Sequence, residues 1–385
     1  MYPTVSGNTI DSVAVEQLFN LANGLSNIIV AYGDESKALP VACACASGII
    51  KGVGLESGEI VSMENIVDWL KKTYNAIKNK ISDAMDAVSA KLSKLSSDVK
   101  MHSKEFDLAV KQFDRVKDNK DGPKTVTVGP TIWTLLIGEK LPSDLAREFK
   151  RLYDEAPDTG AASKLIETLV DGSTAKKLHD GYRKGGLGDA VGELQELSDS
   201  TQEAVEKTTL KNTKPVKQSD TNFKGKIEGK LVATDYYLGN WRAIFELPAD
   251  KKDIGSTQWG TQNMPGTAGK DRSELETPTL TAGEVANAVS ALKPIFAQLA
   301  DSEKTNQALT KGYNTLVSAA NEIGAVASWR GESKKWFDAY NSLIKYQLDV
   351  LNMIGNLYGV YGSRTLTSVA TYTRYIKAST KALEG

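Results

Sequence analysis

The sequence is poor in the residues that build metal sites and histidine-based catalysis. Its 385 residues include two histidines, His102 and His179, and two cysteines, Cys43 and Cys45. The cysteines lie one residue apart, so they cannot form a disulfide framework. Lys and Arg number 47 against 48 Asp and Glu, and this balance does not favour a nucleic-acid partner for the chain as a whole. We therefore predict no catalytic, cofactor-binding or metal-binding residues, and no enzyme.

Long apolar runs are also lacking. The longest, Ala38 to Ile50, has 13 residues and is too short to span a bilayer. The first twenty residues contain Asp11 and Glu16 but neither Lys nor Arg, so we expect no secretory signal. With 41% hydrophobic and 25% charged residues, the composition is that of a globular protein long enough for two or three domains.

The clearest pattern that is present predicts one long helix, Met63 to Val116. Apolar residues recur there at alternating steps of three and four, without Pro or Gly, which is the period of a helix with one apolar face. The steps Ile77 to Ile81 to Met85 form a stutter, which locally relaxes a coiled coil. So narrow a stripe needs partners, either other helices of the chain or another subunit. The candidate assembly seam consists of Leu70, Ile77, Ile81, Val88, Leu92, Leu95 and Val99.

The remaining patterns divide the chain into five regions. Residues 1–59 are an acidic segment, residues 60–120 contain the long helix, and residues 121–250 mix shorter helices with a small β-sheet. Residues 251–280 lack periodicity and are predicted to be a loop or linker. Residues 281–385 are predicted to be a C-terminal helical bundle. The predicted fold class is α+β, predominantly α-helical, with long amphipathic helices and a small antiparallel hairpin or sheet.

Three glycines and one proline modify the prediction for the C-terminal bundle. Thr281 and Glu284 fit a capping box at its start. Pro294 is expected to kink or break the helix that follows. The apolar pattern then continues to the C-terminus, and we expect it to be interrupted at Gly355, Gly359 and Gly362.

A β-hairpin is predicted from Lys226–Tyr237 and Trp241–Leu247, which are joined through Leu238-Gly239-Asn240. With a short strand at Thr125–Val128 it would form a small antiparallel sheet. Its Tyr and Trp rings are expected to pack across the sheet; the alternative is that they stack on nucleic acid. Residues 207–230 contain seven Lys and two acidic residues, which is typical of a solvated linker, and contact with DNA stays open.

A triplet just before the long helix resembles a known kind of processing site. Ser57-Gly58-Glu59 is similar to the small-x-Glu sites at which prohead proteases of large tailed phages trim head proteins. Ala382-Leu383-Glu384 has the same form. Residues 1–59 contain two Lys, two Asp and four Glu, so removing them would change the formal charge from −1 to +3. Positive charge suits a protein confined beside DNA phosphates.

The architecture as a whole resembles internal head (inner-body) proteins of giant phiKZ-like phages. In that family an acidic propeptide precedes an amphipathic helix with Trp and Lys, here residues 63–72. Mixed helical regions follow, and then a Tyr-rich C-terminal helix, here Tyr361 and residues 371–379. The hairpin at residues 237–245 is also similar.

The resemblance implies a virion structural protein without enzymatic activity, packed inside the phage head. It would be made in the host cytoplasm, trimmed after Glu59 and ejected with the DNA. Its implied partners are other virion proteins or further copies, bound through the long helices, with non-specific proximity to packaged DNA and no membrane span. Two alternatives remain at this point. Long helices with one β element also suit an α-helical pore-forming toxin or secreted effector, and a hydrolase or nuclease is the third hypothesis.

Overall fold

A computed structural model describes residues 12–32, 39–55, 60, 62–119, 121–156, 159–173, 176–177, 180, 190–221, 227–249, 257–265, 267, 274–325 and 333–385. The fold is predominantly helical α+β, as predicted. The helices are α1 (Ser12–Tyr32), α2 (Leu39–Gly52), α3 (Met63–Phe113), α4 (Leu145–Glu155), α5 (Thr159–Asp171), α6 (Ala190–Thr208), α7 (Ala282–Ala300), α8 (Ser302–Ala325) and α9 (Ser333–Glu384). The strands are β1 (Thr125–Val128), β2 (Lys214–Pro215), β3 (Lys230–Ala233), β4 (Trp241–Leu247), β5 (Gln258–Asn263) and β6 (Leu275–Pro278).

Helix α3 is one continuous helix of 51 residues, about 76 Å long. It begins after Ser62, whose Oγ accepts a hydrogen bond from the backbone N–H of Asn65 and so caps the first turn. It ends at Phe113, three residues before the predicted end, where the chain passes into turns. The predicted apolar stripe is its buried face.

Helix α9 is a second rod, with 52 residues in a single helix. The predicted interruptions at Gly355, Gly359 and Gly362 do not occur. Helix α7, where Pro294 was expected to kink or break the helix, likewise does not break, and buried Leu292 and Ile295 on either side hold that turn against the bundle. The capping box of Thr281 and Glu284 is confirmed, because each side chain bonds to the backbone N–H of the other residue.

Helices α3 and α9 run parallel along their whole length. Three hydrogen bonds between α3 or its C-terminal turn and α9 join residues that are 267, 265 and 264 positions apart in sequence. Such a constant offset over 45 residues means that the two rods keep one register. The pairs are Tyr74 with Asn341 (3.1 Å), Lys91 with Asn356 (2.7 Å) and Asn119 with the Leu383 carbonyl (2.6 Å).

Helices α7 and α8 supply a third rod that runs antiparallel to the other two. The Tyr313 hydroxyl donates to Asn352 Oδ1 (2.6 Å), and the Tyr358 hydroxyl donates to the Gln298 carbonyl (3.1 Å). The residue number of the partner therefore falls as the residue number along α9 rises, which defines an antiparallel arrangement. Helix α1 adds a fourth, also antiparallel, at the end where α3 and α9 begin, since Asn23 contacts Asn341 and Glu16 faces Lys345.

The β-strands form two separate antiparallel sheets. The predicted hairpin is present as β3 and β4, with Val232 opposite Phe245, and the four-stranded sheet has the order β2-β3-β4-β5. Strand β1 does not join it, contrary to expectation, but pairs with β6. Strands β5 and β6 both fall in the segment predicted to be a loop. Their sequences, QWGTQN and LETP, lack the apolar alternation by which strands are recognised.

Candidate functional site

The seven residues of the predicted seam lie on the buried face of α3 and are at most 4% exposed. Of the two kinds of partner left open by the sequence, helices of the same chain cover this face: α8 and α9 along most of its length, and α1 near its start. The seam is therefore the inner surface of the bundle. Its members are Leu70, Ile77, Ile81, Val88, Leu92, Leu95 and Val99.

Glycines of α9 receive the side chains of this seam. A Cβ atom at Gly355 would lie 2.5 Å from Cγ1 of Val88, and one at Gly362 would overlap the methyl groups of Leu95. Only glycine allows the helices to approach this closely. Sequence reasoning interpreted these glycines as helix breaks, although their spacing of four and three residues places them on one helical face.

The candidate cleavage site, Ser57, Gly58 and Glu59, lies outside the described residues. Of its neighbours, Leu55 is exposed, whereas Ile60 is 6% exposed and contributes to the core. The site thus falls between the end of α2 at Gly52 and the start of α3 at Met63. The second triplet, Ala382-Leu383-Glu384, is the last turn of α9, where the Leu383 side chain packs on Gly122.

The aromatic residues of the hairpin pack against α9. Tyr237 and Trp241 are 0% and 1% exposed. Their ring centroids lie 5.7 and 5.2 Å from that of Tyr361, and the hydroxyls of Tyr237 and Tyr361 are 3.1 Å apart. Burial raises the pKa of both tyrosines, so their hydroxyls stay protonated. These buried rings contradict the alternative in which Tyr237 and Trp241 stack on nucleic acid; they anchor the sheet to the rod.

An arginine of α4 completes this junction. Arg151 pairs with Glu148 (2.9 Å), donates to the carbonyl oxygen of Tyr236 and lies over the ring of Tyr237. Burial raises the pKa of nearby Glu155, while its hydrogen bond with Tyr237 and the charge of Arg151 oppose the rise. One guanidinium therefore connects α4 to the hairpin loop, and charge-assisted hydrogen bonds hold the two elements together.

Described residues of the lysine-rich segment contact the four-stranded sheet. Lys214 lies in β2 and pairs with Asp235 (2.7 Å), and the Arg242 guanidinium donates to the Asp220 carbonyl (2.6 Å). Lys211 and Lys217 are exposed. The segment is thus a solvated edge of the sheet as far as it is described, and residues 222–226 fall outside that part.

A groove of about 470 Å³ runs between α3, a 3-10 helix at Pro130–Leu135 and α9. Its lining includes side chains of both signs, Asp98 and Arg374, together with His102. His102, on the inner side of α3, has its Nδ1 atom 3.5 Å from a carboxylate oxygen of Glu105. This mixture does not select an anion or a cation, and we assign the groove no ligand.

The described residues contain no group of three or more His, Cys, Asp or Glu side chains arranged to hold a metal ion. No helix within the described ranges combines the length and the apolarity that crossing a bilayer requires. His179 lies outside this part of the chain. Cys43 is buried and Cys45 exposed, and both are free.

A model of a known protein family matches most of the chain. The model of the family described as phiKZ-like phage internal head proteins matches residues 55–384. The matched region begins four residues before Glu59 and includes every helix from α3 to α9. No curated protein and no solved structure matches the chain.

Proposed function

Because the chain belongs to the phiKZ-like phage internal head proteins, we propose that it is a non-enzymatic structural protein packed with the genome inside the phage head. The observation that carries this proposal is the rod of α3 and α9, which lies wholly within the matched residues. The buried side chains of these two helices make contacts between helices. The aromatic and charged clusters described above hold the sheet and α4 against the bundle. A rod of this kind suits a packing role.

We further propose that a prohead protease trims the chain after Glu59. The family match starts at residue 55, so nearly all of the segment to be removed lies outside it. A chain that begins at Ile60 would retain Ser62 and hence the complete cap of α3. The triplet ending at Glu384 is a poorer substrate, because proteases cut exposed loops more readily than docked helices.

The test is the N-terminal residue and intact mass of the protein from purified particles. We expect a chain that starts at Ile60, and a chain that starts at Met1 would contradict trimming. Particles carrying Glu59→Ala should contain the untrimmed chain. Glu56→Ala is the matched control, since it removes the same charge three residues away and should leave trimming intact.

Ejection with the DNA is the last part of the proposal. Trimming would leave a chain with formal charge +3, and this charge lowers the cost of proximity to phosphates. Particles that have been emptied of DNA should then contain less of the protein than full particles. Equal amounts in both would contradict ejection and leave the head location unaffected.

The hairpin does not suit the pore-forming alternative. The hairpin that would have formed a membrane-inserting tongue has its rings packed on Tyr361 of α9. Its exposed face carries charge, including Lys230.

A further inference from the structure

Trimming after Glu59, if it occurs as proposed above, would cut the chain between α2 and α3. We infer that residues 12–52 stay bound after the cut, as a helical cap held non-covalently on the start of α3 and α9. The cut would then produce a two-piece molecule, and departure of the cap would be a separate step. We call residues 12–52 the N-terminal cap.

The first support is apolar burial. Helix α1 packs on α2, on α3 and on α9, and α2 also packs on α3. Buried apolar residues occur around α1 at helical spacing, and three of them are not exposed at all. Removing the cap would return these side chains and their partners to water. They are Val15, Phe19, Leu21, Ala22, Leu25, Ile28 and Ile29 in α1, and Ala42, Cys43, Ala46 and Ile50 in α2.

The second support is a relay of buried hydrogen bonds that reaches from the cap into the bundle. Asn341 of α9 donates from Nδ2 to Oδ1 of Asn23 (2.6 Å) and accepts at Oδ1 from the Tyr74 hydroxyl (3.1 Å). Asn341 is 1% exposed. Loss of the cap would open Nδ2 to water, which would replace Asn23 as its partner, so this hydrogen bond adds a modest net affinity and fixes the position of α1 on α9.

The third support is that the contacts described above lie within the helices on either side of the cut. The N-terminal cap ends at Gly52. Helix α3 begins at Met63, and its first turn is closed by the side chain of Ser62, which does not depend on residues 12–52. Breaking the link converts the contact from an intramolecular to a bimolecular one, so the effective concentration falls, but every contact above remains available. Retention then depends on affinity and concentration.

The experiment cuts the full-length protein in place. A recognition sequence for a site-specific protease is inserted between Leu55 and Ile60, and the folded protein is cut and passed over a size-exclusion column at low micromolar concentration. We expect both pieces to elute together in equal amounts, with the circular dichroism spectrum of the uncut chain. Separation of the wild-type pieces on the column would overturn the inference.

Two variants each add one negative charge to helix α1. Leu25→Asp places a carboxylate at a fully buried position and should release the cap after the cut, whereas Asn27→Asp lies on the exposed face and should retain it. Equal retention in the two would also overturn the inference. Should Leu25→Asp fail to fold before cutting, Asn23→Ala replaces it, with an expected affinity loss of about tenfold.

This result is independent of the proposed processing, because the cut is engineered. A virion chain that starts at Met1 would defeat trimming after Glu59 and leave cap retention standing. A cap that dissociates at once would defeat retention while trimming remained supported.

Discussion

Val88 of α3 and Gly355 of α9 lie in contact at a point where the two parallel helices approach closely. A Cβ atom at position 355 would lie 2.5 Å from Cγ1 of Val88 and 3.2 Å from Cδ1 of Leu309, so it would meet both α3 and α8. Valine is stiff about χ1 and cannot swing aside. The contact is thus a fixed point in the register of three helices.

From this contact we expect Gly355→Ala to destabilise the protein. Overpacking of a core lowers the free energy of unfolding by about 1–3 kcal/mol, while the higher helix propensity of Ala over Gly raises it by about 1 kcal/mol. The melting temperature should therefore fall.

Gly359→Ala is the control, because the nearest atom to its new Cβ would be Cβ of Lys91 at an ordinary 3.9 Å. It should raise the melting temperature through propensity alone. Two shifts of the same sign would contradict the assigned register.

These glycines illustrate what the sequence can and cannot predict. The stripe of α3 was predicted because its period is local, and the capping box of Thr281 and Glu284 and the hairpin follow from neighbouring residues. The role of Gly355 depends on Val88, which is 267 positions away, so the local rule that glycine weakens helices gave the wrong result. The pairing of β1 with β6 joins residues about 150 positions apart, such as Thr125 and Pro278, and no local pattern specifies it.

Arg151 of α4, which is partly buried, should matter far more than its exposed neighbour Lys150. Arg151→Met removes the partner of Glu148 and the donor to the Tyr236 carbonyl, and breaking a buried pair costs about 3–5 kcal/mol. Because the Arg151 side chain is 27% exposed, we expect the lower end of this range.

Lys150→Met is the matched control for Arg151→Met. Lys150 also forms an ion pair, with Asp154, but its side chain is 67% exposed, and such pairs contribute about 0–1 kcal/mol. Urea denaturation of both variants measures the two losses. Similar losses would show that the α4 junction does not depend on Arg151.

Stability should also depend on pH through a carboxyl group that faces the N-terminal cap. Burial raises the pKa of Asp349 in α9 from 3.8 to about 7; Lys345 opposes the rise and Glu16 of α1 adds to it. The folded protein thus holds this proton more tightly than the unfolded chain. The resulting stabilisation is complete below about pH 4 and is lost as the pH rises through about 7.

Replacing the carboxyl by an amide isolates this contribution from the other acids. In Asp349→Asn, the free energy of unfolding relative to wild type should increase between pH 5 and 8, by at most about 1.4 kcal/mol per pH unit. Glu16→Gln should make this loss smaller and complete it at a lower pH, because removing the neighbouring negative charge lowers the pKa of Asp349 toward that of the unfolded chain. Urea denaturation at several pH values measures both effects. Parallel curves for Asp349→Asn and wild type would show that Asp349 keeps an ordinary pKa, and the contact between α1 and α9 would then not respond to pH through this group.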